Sequence, residues 1–329
     1  MFGKTAVALA GAFALVLGAA PAQAQTKLDV AIFHSEADAF SGAFRKWAED
    51  VAAATEGRVE LTPHFGSSLV RITEGFDAAR DGIVPVTTSA ASVMSGQLPA
   101  MAFIEVIGGI PGDRETSKEV GLALDAEIEA MFGAEGVDYL WMQPAFGGLV
   151  ACREDHLKTP ADWAGKKVRT AGRWQSEQLL ALGAVPVTID PAEQYIALRQ
   201  GTVDCVLSNN TLALALKLHE VGPKITQLRQ PVNVVFYLAD PRSMARLSEA
   251  DRAAMKEAGL AAQVYATDFL LDRQQEASDA MAAQGGEIHA LSDDELAAFK
   301  RAVRPVLDKI SEAAGEAGAP LRAALEPSW

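Results

Sequence analysis

The chain has 329 residues, 49% of them hydrophobic, and a net charge of −14 at pH 7. Its surplus of carboxylates argues against binding to nucleic acid or to anionic membranes, because both need clustered Lys and Arg side chains. The length suits two domains of ordinary size, and the apolar content is enough for a large core.

The first 24 residues have the pattern of an export signal. Lys4 supplies a positive charge, residues 6–20 form an apolar run, and Ala22-Gln23-Ala24 fits a small-residue cleavage site. A transmembrane helix is the alternative, but the run is shorter than the ~20 apolar residues that span a bilayer. We therefore expect a signal peptide over 1–24 that is cleaved after Ala24, a periplasmic location, and a mature protein that is not embedded in the membrane.

Strands and helices alternate in the first third of the mature chain. Phe40, Phe44, Trp47 and Val51 recur at helical spacing, and Gly57 ends their helix. The other predicted elements are strands over 28–32, 58–63 and 83–88 and a helix over about 68–80. This βαβαβ order predicts a parallel sheet with both faces covered.

The alternation restarts at residue 138. Strands are predicted over 139–143, 147–152 and 203–207. Residues 159–162 and 190–193 each combine a cap residue, a proline and an acidic residue, which is the pattern of a helix start. The second of these opens a helix over 194–199 that Gly201 ends. The chain thus holds two α/β units, joined near 146–148.

The C-terminal third is predicted to be mostly helical. Ser248 and Ser292 have the pattern of N-caps, each with an acidic residue three positions later. Residues 249–284 contain no proline and one glycine, Gly259, which predicts one helix of about 35 residues, roughly 50 Å long. A helix of that length could brace two lobes. The alternative is a pair of helices broken at Gly259.

The two cysteines, Cys152 and Cys205, both lie in strand-like runs of the mature chain. Export to an oxidising compartment permits a disulfide between them. The bridge would close a loop of about fifty residues and stabilise the fold by about 4 kcal/mol in the chain-entropy model. The alternative is two buried thiols that behave as small apolar residues.

Motifs of catalytic and metal chemistry are missing from the sequence. The five histidines do not form HExxH or another paired spacing on one helix, and the cysteines lack CxxC spacing. The chain also has no G-x-S-x-G elbow, P-loop or GxGxxG turn. We therefore expect no catalytic residue, no metal and no cofactor.

One arginine stands out as a candidate for anion binding. Arg169 ends a short strand-like run and precedes the small turn Thr170-Ala171-Gly172. Ligands of open α/β sheets bind beyond the carboxyl ends of the strands, and a guanidinium there offers two parallel N–H donors to a carboxylate. The alternative is a surface arginine in a helix–strand connection.

Five segments carry a recognisable set of motifs. Residues 163–169, WAGKKVR, are similar to D-L-K-G-x-K-[IVL]-R, and residues 182–187, LGAVPV, are similar to LGA-x-P-V. Residues 193–204, EQYIALRQGTVD, are similar to E-x-Y-x-A-L-Q-x-G-x-V-D-G. KLHEV at 217–221 and TEGRV at 55–59 follow K-F-Y-E-V and T-x-G-x-V. In this order and spacing they resemble the substrate-binding proteins of tripartite ATP-independent periplasmic (TRAP) transporters, the DctP-type family.

The resemblance implies an α/β protein with a two-lobed periplasmic-binding-protein-like fold, hinge strands and a long bracing helix. We expect lobe I to comprise residues 25–146 plus about 235–275, and lobe II residues 147–234 plus about 276–329. The resemblance also implies a small organic acid as ligand. The implied partners are the TRAP membrane permease subunits, which an ion gradient drives.

The resemblance places the carboxylate-binding arginine of the family at Arg169. A polar residue, often Asn, assists it four positions after the motif Asp, where this chain has Ser208 followed by Asn209. Some members carry a second arginine in the strand that enters lobe II, but residues 147–150 contain none, and Arg153 is the nearest candidate. These departures predict a carboxylate clamp that is weaker or built differently.

Further ligand-binding candidates follow from their positions. His34 lies where the first strand ends, and Thr88 and Ser89 lie where the third ends. Trp174 could stack on a ligand or belong to the core. Near the return crossing between the lobes the candidates are Asn233 and Phe236.

Taken together, these patterns predict an exported receptor that captures a small carboxylate and is not an enzyme. One alternative is a solute-binding protein of another transporter class or of a sensor kinase. The other is a secreted enzyme on a similar two-lobed scaffold, which turnover of a bound acid would reveal.

Overall fold

The computed structural model describes residues 25–329, so the predicted signal peptide over 1–24 lies outside the described residues. The strands are β1 (Thr26–Ala31), β2 (Val59–His64), β3 (Val86–Ala90), β4 (Asp138–Pro144), β5 (Gly148–Cys152), β6 (Lys167–Thr170), β7 (Val185–Thr188), β8 (Cys205–Asn209), β9 (Lys224–Gln227), β10 (Val234–Ala239) and β11 (Glu287–Ala290).

Helices cover most of the remaining chain. They are α1 (Ala39–Ala54), α2 (Gly75–Asp81), α3 (Ala91–Met94), α4 (Ala102–Glu105), α5 (Arg114–Ala123), α6 (Asp125–Ala134), α7 (Arg173–Ala181), α8 (Gln194–Gln200), α9 (Asn210–Ala215), α10 (Leu218–Val221), α11 (Pro241–Met244), α12 (Glu249–Ala283), α13 (Asp293–Ala314) and α14 (Ala319–Leu325). Within residues 25–329, none is both long and apolar enough to cross a bilayer.

The first sheet has the strand order β2-β1-β3-β10-β4. β1 runs parallel to β2 and β3, and β10 returns antiparallel between β3 and β4. The predicted apolar face of α1 is buried against this sheet, and Trp47 packs on Trp141 and Tyr237. The predicted βαβαβ unit is therefore present, with one antiparallel strand added.

The helix predicted over 68–80 begins later in the structure, at Gly75. Gly66 and Ser67 adopt positive φ angles of 69° and 57°, so the chain turns after β2 and cannot enter a helix there. Gly75 then packs so closely on β3 that an added Cβ would lie 2.3 Å from the Thr88 carbonyl oxygen. The strand predicted over 83–88 runs instead from Val86 to Ala90.

The second sheet has the order β11-β9-β5-β8-β6-β7. β6 runs parallel to β7 and β8, whereas β5 runs antiparallel to β8 and β9. The carboxyl ends of β6, β7 and β8 therefore share one edge with the start of β5. Cys152 and Cys205 lie opposite each other at the other edge and are joined by a disulfide.

Helix α12 is one continuous helix of 35 residues, capped by Ser248. The alternative break at Gly259 is wrong, because the glycine serves packing: an added Cβ would lie 2.8 Å from the Leu140 carbonyl oxygen. Early in α12, the Met255 carbonyl accepts a hydrogen bond from Trp47, which belongs to α1. Further along, the Gln274 carbonyl accepts one from Asn210 of α9. The helix thus contacts the layers of both sheets.

Two chain segments connect the sheets and pair with each other. Ala145 donates to Asn233 O at 2.8 Å, Val232 donates to Ala145 O at 3.1 Å, and Gly148 donates to Gln230 O at 3.0 Å. The first sheet takes strands from 26–144 and 234–239, and the second from 148–227 and 287–290. The result is the predicted α/β fold with two sheets and a long helix. The lobe boundaries given above stay a prediction.

Candidate functional site

Arg169 lies near the carboxyl end of β6, at the edge shared with β7 and β8. Its side chain is buried, with 3% of the residue exposed. Nε donates to Ile189 O at 2.8 Å and Nη1 donates to Leu207 O at 3.1 Å. Nη2 is buried and has no hydrogen-bond partner. Two backbone carbonyls therefore orient the guanidinium and leave one of its nitrogens available.

The charge of Arg169 is only weakly compensated. Burial lowers its pKa to about 10, an effect that the nearby Asp190 carboxylate partly opposes. The side chain is still a cation at neutral pH. No carboxylate within residues 25–329 forms an ion pair with it. A buried cation is costly unless a counter-charge accompanies it, so this arrangement is suited to an anion supplied from outside the chain.

Ser208 and Asn209 lie at the end of β8, next to Leu207, whose carbonyl accepts from Arg169. The Ser208 hydroxyl is buried and has no partner. Asn209 caps α9, where its Oδ1 accepts from Leu212 N at 3.0 Å and from the Thr211 hydroxyl at 2.9 Å. Of this predicted pair, Ser208 is therefore the residue with a buried polar atom that has no partner, whereas Oδ1 of Asn209 is used in the cap.

The hydroxyls of Thr88 and Ser89 are used inside the first sheet. Thr88 Oγ1 donates to Ala31 O and accepts from Phe33 N, both at 3.2 Å. Ser89 Oγ donates to Ile72 O at 3.1 Å. Both side chains are buried, and each stabilises a local connection.

His34 is half-buried at the end of β1. Its ring stacks on Phe40 at a centroid distance of 4.5 Å, and its Nδ1 is buried without a partner. Burial lowers the pKa of His34 to about 3, so the imidazole is neutral near pH 7. It offers a neutral polar edge and no positive charge.

Asn233 lies where the chain returns to the first sheet. Its Nδ2 donates to Ser92 Oγ at 2.8 Å, and its Oδ1 accepts from the backbone N–H groups of Ser92 and Val234. Gly172, in the turn after β6, approaches the same segment, since an added Cβ would lie 3.0 Å from Ser92 O. The turn that follows Arg169 is therefore brought against Ser92 and Asn233.

Three predicted residues lie elsewhere. Trp174 is buried in the core and donates from Nε1 to Ser95 O at 3.4 Å. Phe236 is fully buried against aromatic side chains of the first sheet. Arg153 follows β5 at the opposite edge of the second sheet, because β5 runs antiparallel to β8, and it contacts Gly201 and Glu154. The structure does not bring these three to Arg169.

Gln194 was not predicted and has an unusual environment. It is fully buried at the start of α8, and neither its Oε1 nor its Nε2 has a hydrogen-bond partner. One pattern in the sequence indicates its burial, because Ala197 and Leu198 recur three and four positions later on the same helix face.

A groove of about 540 Å³ runs between elements of both sheets. The loop after β1 forms one wall with Ser35 and Asp38, α9 forms the other with Thr211 and Leu212, and α12 closes the end. Within residues 25–329, no three His, Cys, Asp or Glu side chains are grouped as metal ligands.

A second, smaller cavity of about 20 Å³ is lined by Gln175, Gln178, Gln230 and Glu105, and we call this region the junction of the sheets. Gln178 Oε1 accepts from Ile107 N at 2.9 Å, Gln230 Oε1 accepts from Gly108 N at 3.0 Å, and Gln175 Nε2 donates to Val232 O at 3.0 Å. The cavity has room for one water molecule. Burial raises the pKa of Glu105 well above its usual range.

Comparison with known proteins identifies the family. The family model described as bacterial extracellular solute-binding protein, family 7 (DctP), matches residues 30–313. The chain belongs to this family. Its motifs at 163–204 lie within the matched region.

Relatives and solved structures agree with this membership. The ectoine-binding periplasmic protein TeaA of Halomonas elongata is 24% identical over 287 residues, 85% of this chain and 82% of that protein. The C4-dicarboxylate-binding periplasmic protein DctP of Rhodobacter capsulatus is 26% identical over 278 residues, 82% of each protein. An extracytoplasmic solute receptor of Bordetella pertussis that binds pyroglutamic acid superimposes with a TM-score of 0.80 at 19% identity, covering 92% of this chain and 99% of that one. The fold is therefore that of TRAP periplasmic solute receptors.

Proposed function

We propose that this member of the family 7 solute-binding proteins is a periplasmic receptor that captures one small organic acid and delivers it to the membrane subunits of a TRAP transporter. The signal peptide over 1–24 exports the chain and is cleaved after Ala24. The receptor binds its ligand without chemical turnover.

The observation that carries the proposal is the free Nη2 of Arg169. The guanidinium is buried, its orientation is set by Ile189 O and Leu207 O, and no carboxylate of the described residues forms an ion pair with it. A ligand carboxylate supplies that charge and accepts from Nη2, while the Ser208 hydroxyl donates a further hydrogen bond. Charge-assisted hydrogen bonds of this kind are roughly twice as strong as neutral ones.

Binding is coupled to closure of the two lobes, 25–146 plus about 235–275 and 147–234 plus about 276–329. We assign the ligand entrance to the groove between the loop after β1 and α9, because the groove joins elements of both sheets. Closure excludes water and lowers the local dielectric constant, which strengthens the contact between Arg169 and the carboxylate. Higher affinity for the closed form shifts the population toward it.

The named ligands of the three relatives support an organic acid. Ectoine, C4-dicarboxylates and pyroglutamic acid all carry a carboxylate. One arginine with one hydroxyl at a mixed polar and apolar site accommodates keto, hydroxy or aromatic acids.

Two other functions are separable by experiment. A receptor for another transporter class or for a sensor kinase binds the same acid but has no TRAP permease genes beside its own gene. A secreted enzyme converts the acid, so product that accumulates at catalytic enzyme concentration would favour it over a receptor.

The test is a thermal-shift screen against small organic acids, followed by calorimetry of the hits. A ligand at 100 times its Kd stabilises the folded state by about 2.7 kcal/mol, which raises the melting temperature. We expect Arg169→Lys and Arg169→Ala to weaken binding at least ~100-fold with the fold retained. Arg153→Ala is the matched control, because Arg153 lies at the opposite edge of the same sheet. Equal affinity in the Arg169 variants would remove the arginine from the site.

A further inference from the structure

Gln194 differs from the other buried glutamines in having both ends of its amide without a partner. Within residues 25–329 it is the only buried glutamine for which this is true. It is 0% exposed, so water of the bulk solvent does not reach the amide. Leaving a buried polar group unpaired costs about 1–3 kcal/mol, and an apolar side chain of this size avoids that cost. The glutamine therefore requires an explanation beyond packing.

The position of Gln194 places it on the face of the second sheet that carries Arg169 and Ser208. Ala197 and Leu198 lie on the same side of α8 as Gln194 and pack in one cluster with Val206 of β8. In the sheet, Val206 is the register partner of Arg169. Ser208 follows Val206 by two residues in β8, so the two side chains lie on the same face of the sheet.

The loop that leads into α8 links Gln194 to Arg169. Ile189, which directly follows β7, accepts the hydrogen bond from Arg169 Nε, and α8 begins five residues later at Gln194. Three buried side chains with unused hydrogen-bonding atoms, Arg169, Ser208 and Gln194, therefore border one end of one sheet face.

We propose that Gln194 is a specificity-determining residue of the carboxylate site. While Arg169 binds the carboxylate, the Gln194 amide binds an uncharged polar group of the same ligand, donating from Nε2 and accepting at Oε1. The inference rests on the proposed function. The ligand class is thereby narrowed to acids with a hydroxyl or amide group near the carboxylate. A hydrocarbon acid of the same shape leaves both ends of the amide unpaired and binds more weakly.

The experiment compares matched pairs of acids on purified variants of the mature chain. One pair is pyroglutamate and cyclopentanecarboxylate, and the other is lactate and propionate. Calorimetry gives the preference for the polar member of each pair. We expect Gln194→Met to reduce that preference about 10- to 100-fold while retaining binding of the apolar acid. Gln275→Met, the same change at an exposed glutamine of α12, serves as the control and leaves the preference unchanged.

A second variant keeps the test decisive if Gln194→Met does not fold. Gln194→Glu conserves the volume and adds a carboxylate on the face of Arg169, so we expect it to pair with the arginine and abolish binding of every acid. Wild-type affinity in that variant would contradict the proposal.

The outcomes separate this inference from the function on which it rests. An unchanged preference in folded Gln194→Met overturns the role of Gln194, and a change in melting temperature alone means that the amide only holds an internal water. Absence of any acid binding by the wild-type chain overturns the proposed function itself and this inference with it.

Discussion

The buried glutamines at the junction of the sheets and Gln194, at the start of α8, have opposite hydrogen-bonding states. Gln178 and Gln230 accept from backbone N–H groups of the loop after α4, and Gln175 donates to the Val232 carbonyl. Gln194 bonds nothing within the described residues. The same side chain therefore stabilises the fold in one region and remains available in the other. The difference teaches that the partners of a buried amide, and not its burial, distinguish a structural role from a binding role.

The largest expected effect is at the junction. Gln178→Leu leaves the Ile107 N–H buried without an acceptor, so we expect the free energy of unfolding to fall by about 2–3 kcal/mol. Gln194→Met removes two unpaired ends and keeps the volume, so we expect a change of less than about 0.5 kcal/mol or a gain. Urea denaturation of both variants measures the difference. Equal destabilisation would break the comparison.

Glu105 lines the same cavity as the three bonded glutamines, but its Oε1 is buried without a partner. It therefore tests how an unpaired ionisable group at the junction affects stability. Burial raises its pKa well above 4.5, so above pH 4.5 the folded chain keeps a proton that the unfolded chain releases. Stability therefore falls as pH rises from 4.5 toward the raised pKa, by up to about 1.4 kcal/mol per pH unit.

We expect Glu105→Gln to be more stable than wild type by about 1–3 kcal/mol at pH 7, with the two converging below pH 4.5. Denaturation at several pH values measures this gap. A gap that does not change with pH would mean that Glu105 is ionised in the fold.

Ser208 and Ser89 sharpen the comparison for hydroxyl groups. The Ser208 hydroxyl is unpaired, so Ser208→Ala should weaken acid binding about 3- to 10-fold and change stability by less than about 0.5 kcal/mol. Ser89 donates to Ile72 O, so Ser89→Ala should cost about 1 kcal/mol of stability and leave affinity within about twofold. Calorimetry and urea denaturation of each variant measure the two quantities. An exchange of the two phenotypes would assign Ser89 to the site.

The smallest expected effect concerns pH. Burial sets the pKa of Arg169 to about 10 and that of His34 to about 3, so neither changes charge between pH 5.5 and 8.5. Affinity for an acid that is ionised throughout should therefore vary by less than about twofold over this range. Calorimetry at four pH values checks the expectation, and a tenfold loss at pH 8.5 would show that Arg169 does not carry the charge.

Elements with a strong local pattern could be predicted from the sequence. The Ser248 cap and the proline-free run of α12 and the amphipathic face of α1 depend on neighbours in the chain, and both helices are present as predicted. The helix predicted over 68–80 started too early, because the left-handed turn at Gly66 and Ser67 depends on hydrogen bonds to Ile32 and His34, which are distant in the chain. The alternative of a break at Gly259 stayed open from the sequence, since close packing against Leu140 cannot be inferred from the helix alone.

The candidate site shows the same division. Arg169 and Ser208 follow from motif positions, and the structure places both at one edge of the sheet. Trp174 and Phe236 were predicted from position, but strand and helix patterns do not tell which face meets the core, and both are buried there. Gln194 could not be predicted as a site residue, because the lack of a hydrogen-bond partner can be recognised only when the positions of all neighbouring groups are known.

The continuous helix α12 also affects how the molecule unfolds. Its early part contacts the first sheet and its later part contacts α9 and β11, so neither half can lose its structure while the helix keeps all its contacts. The two halves are therefore coupled through a shared element, and a heat-capacity scan should show one cooperative peak despite the two separate sheets.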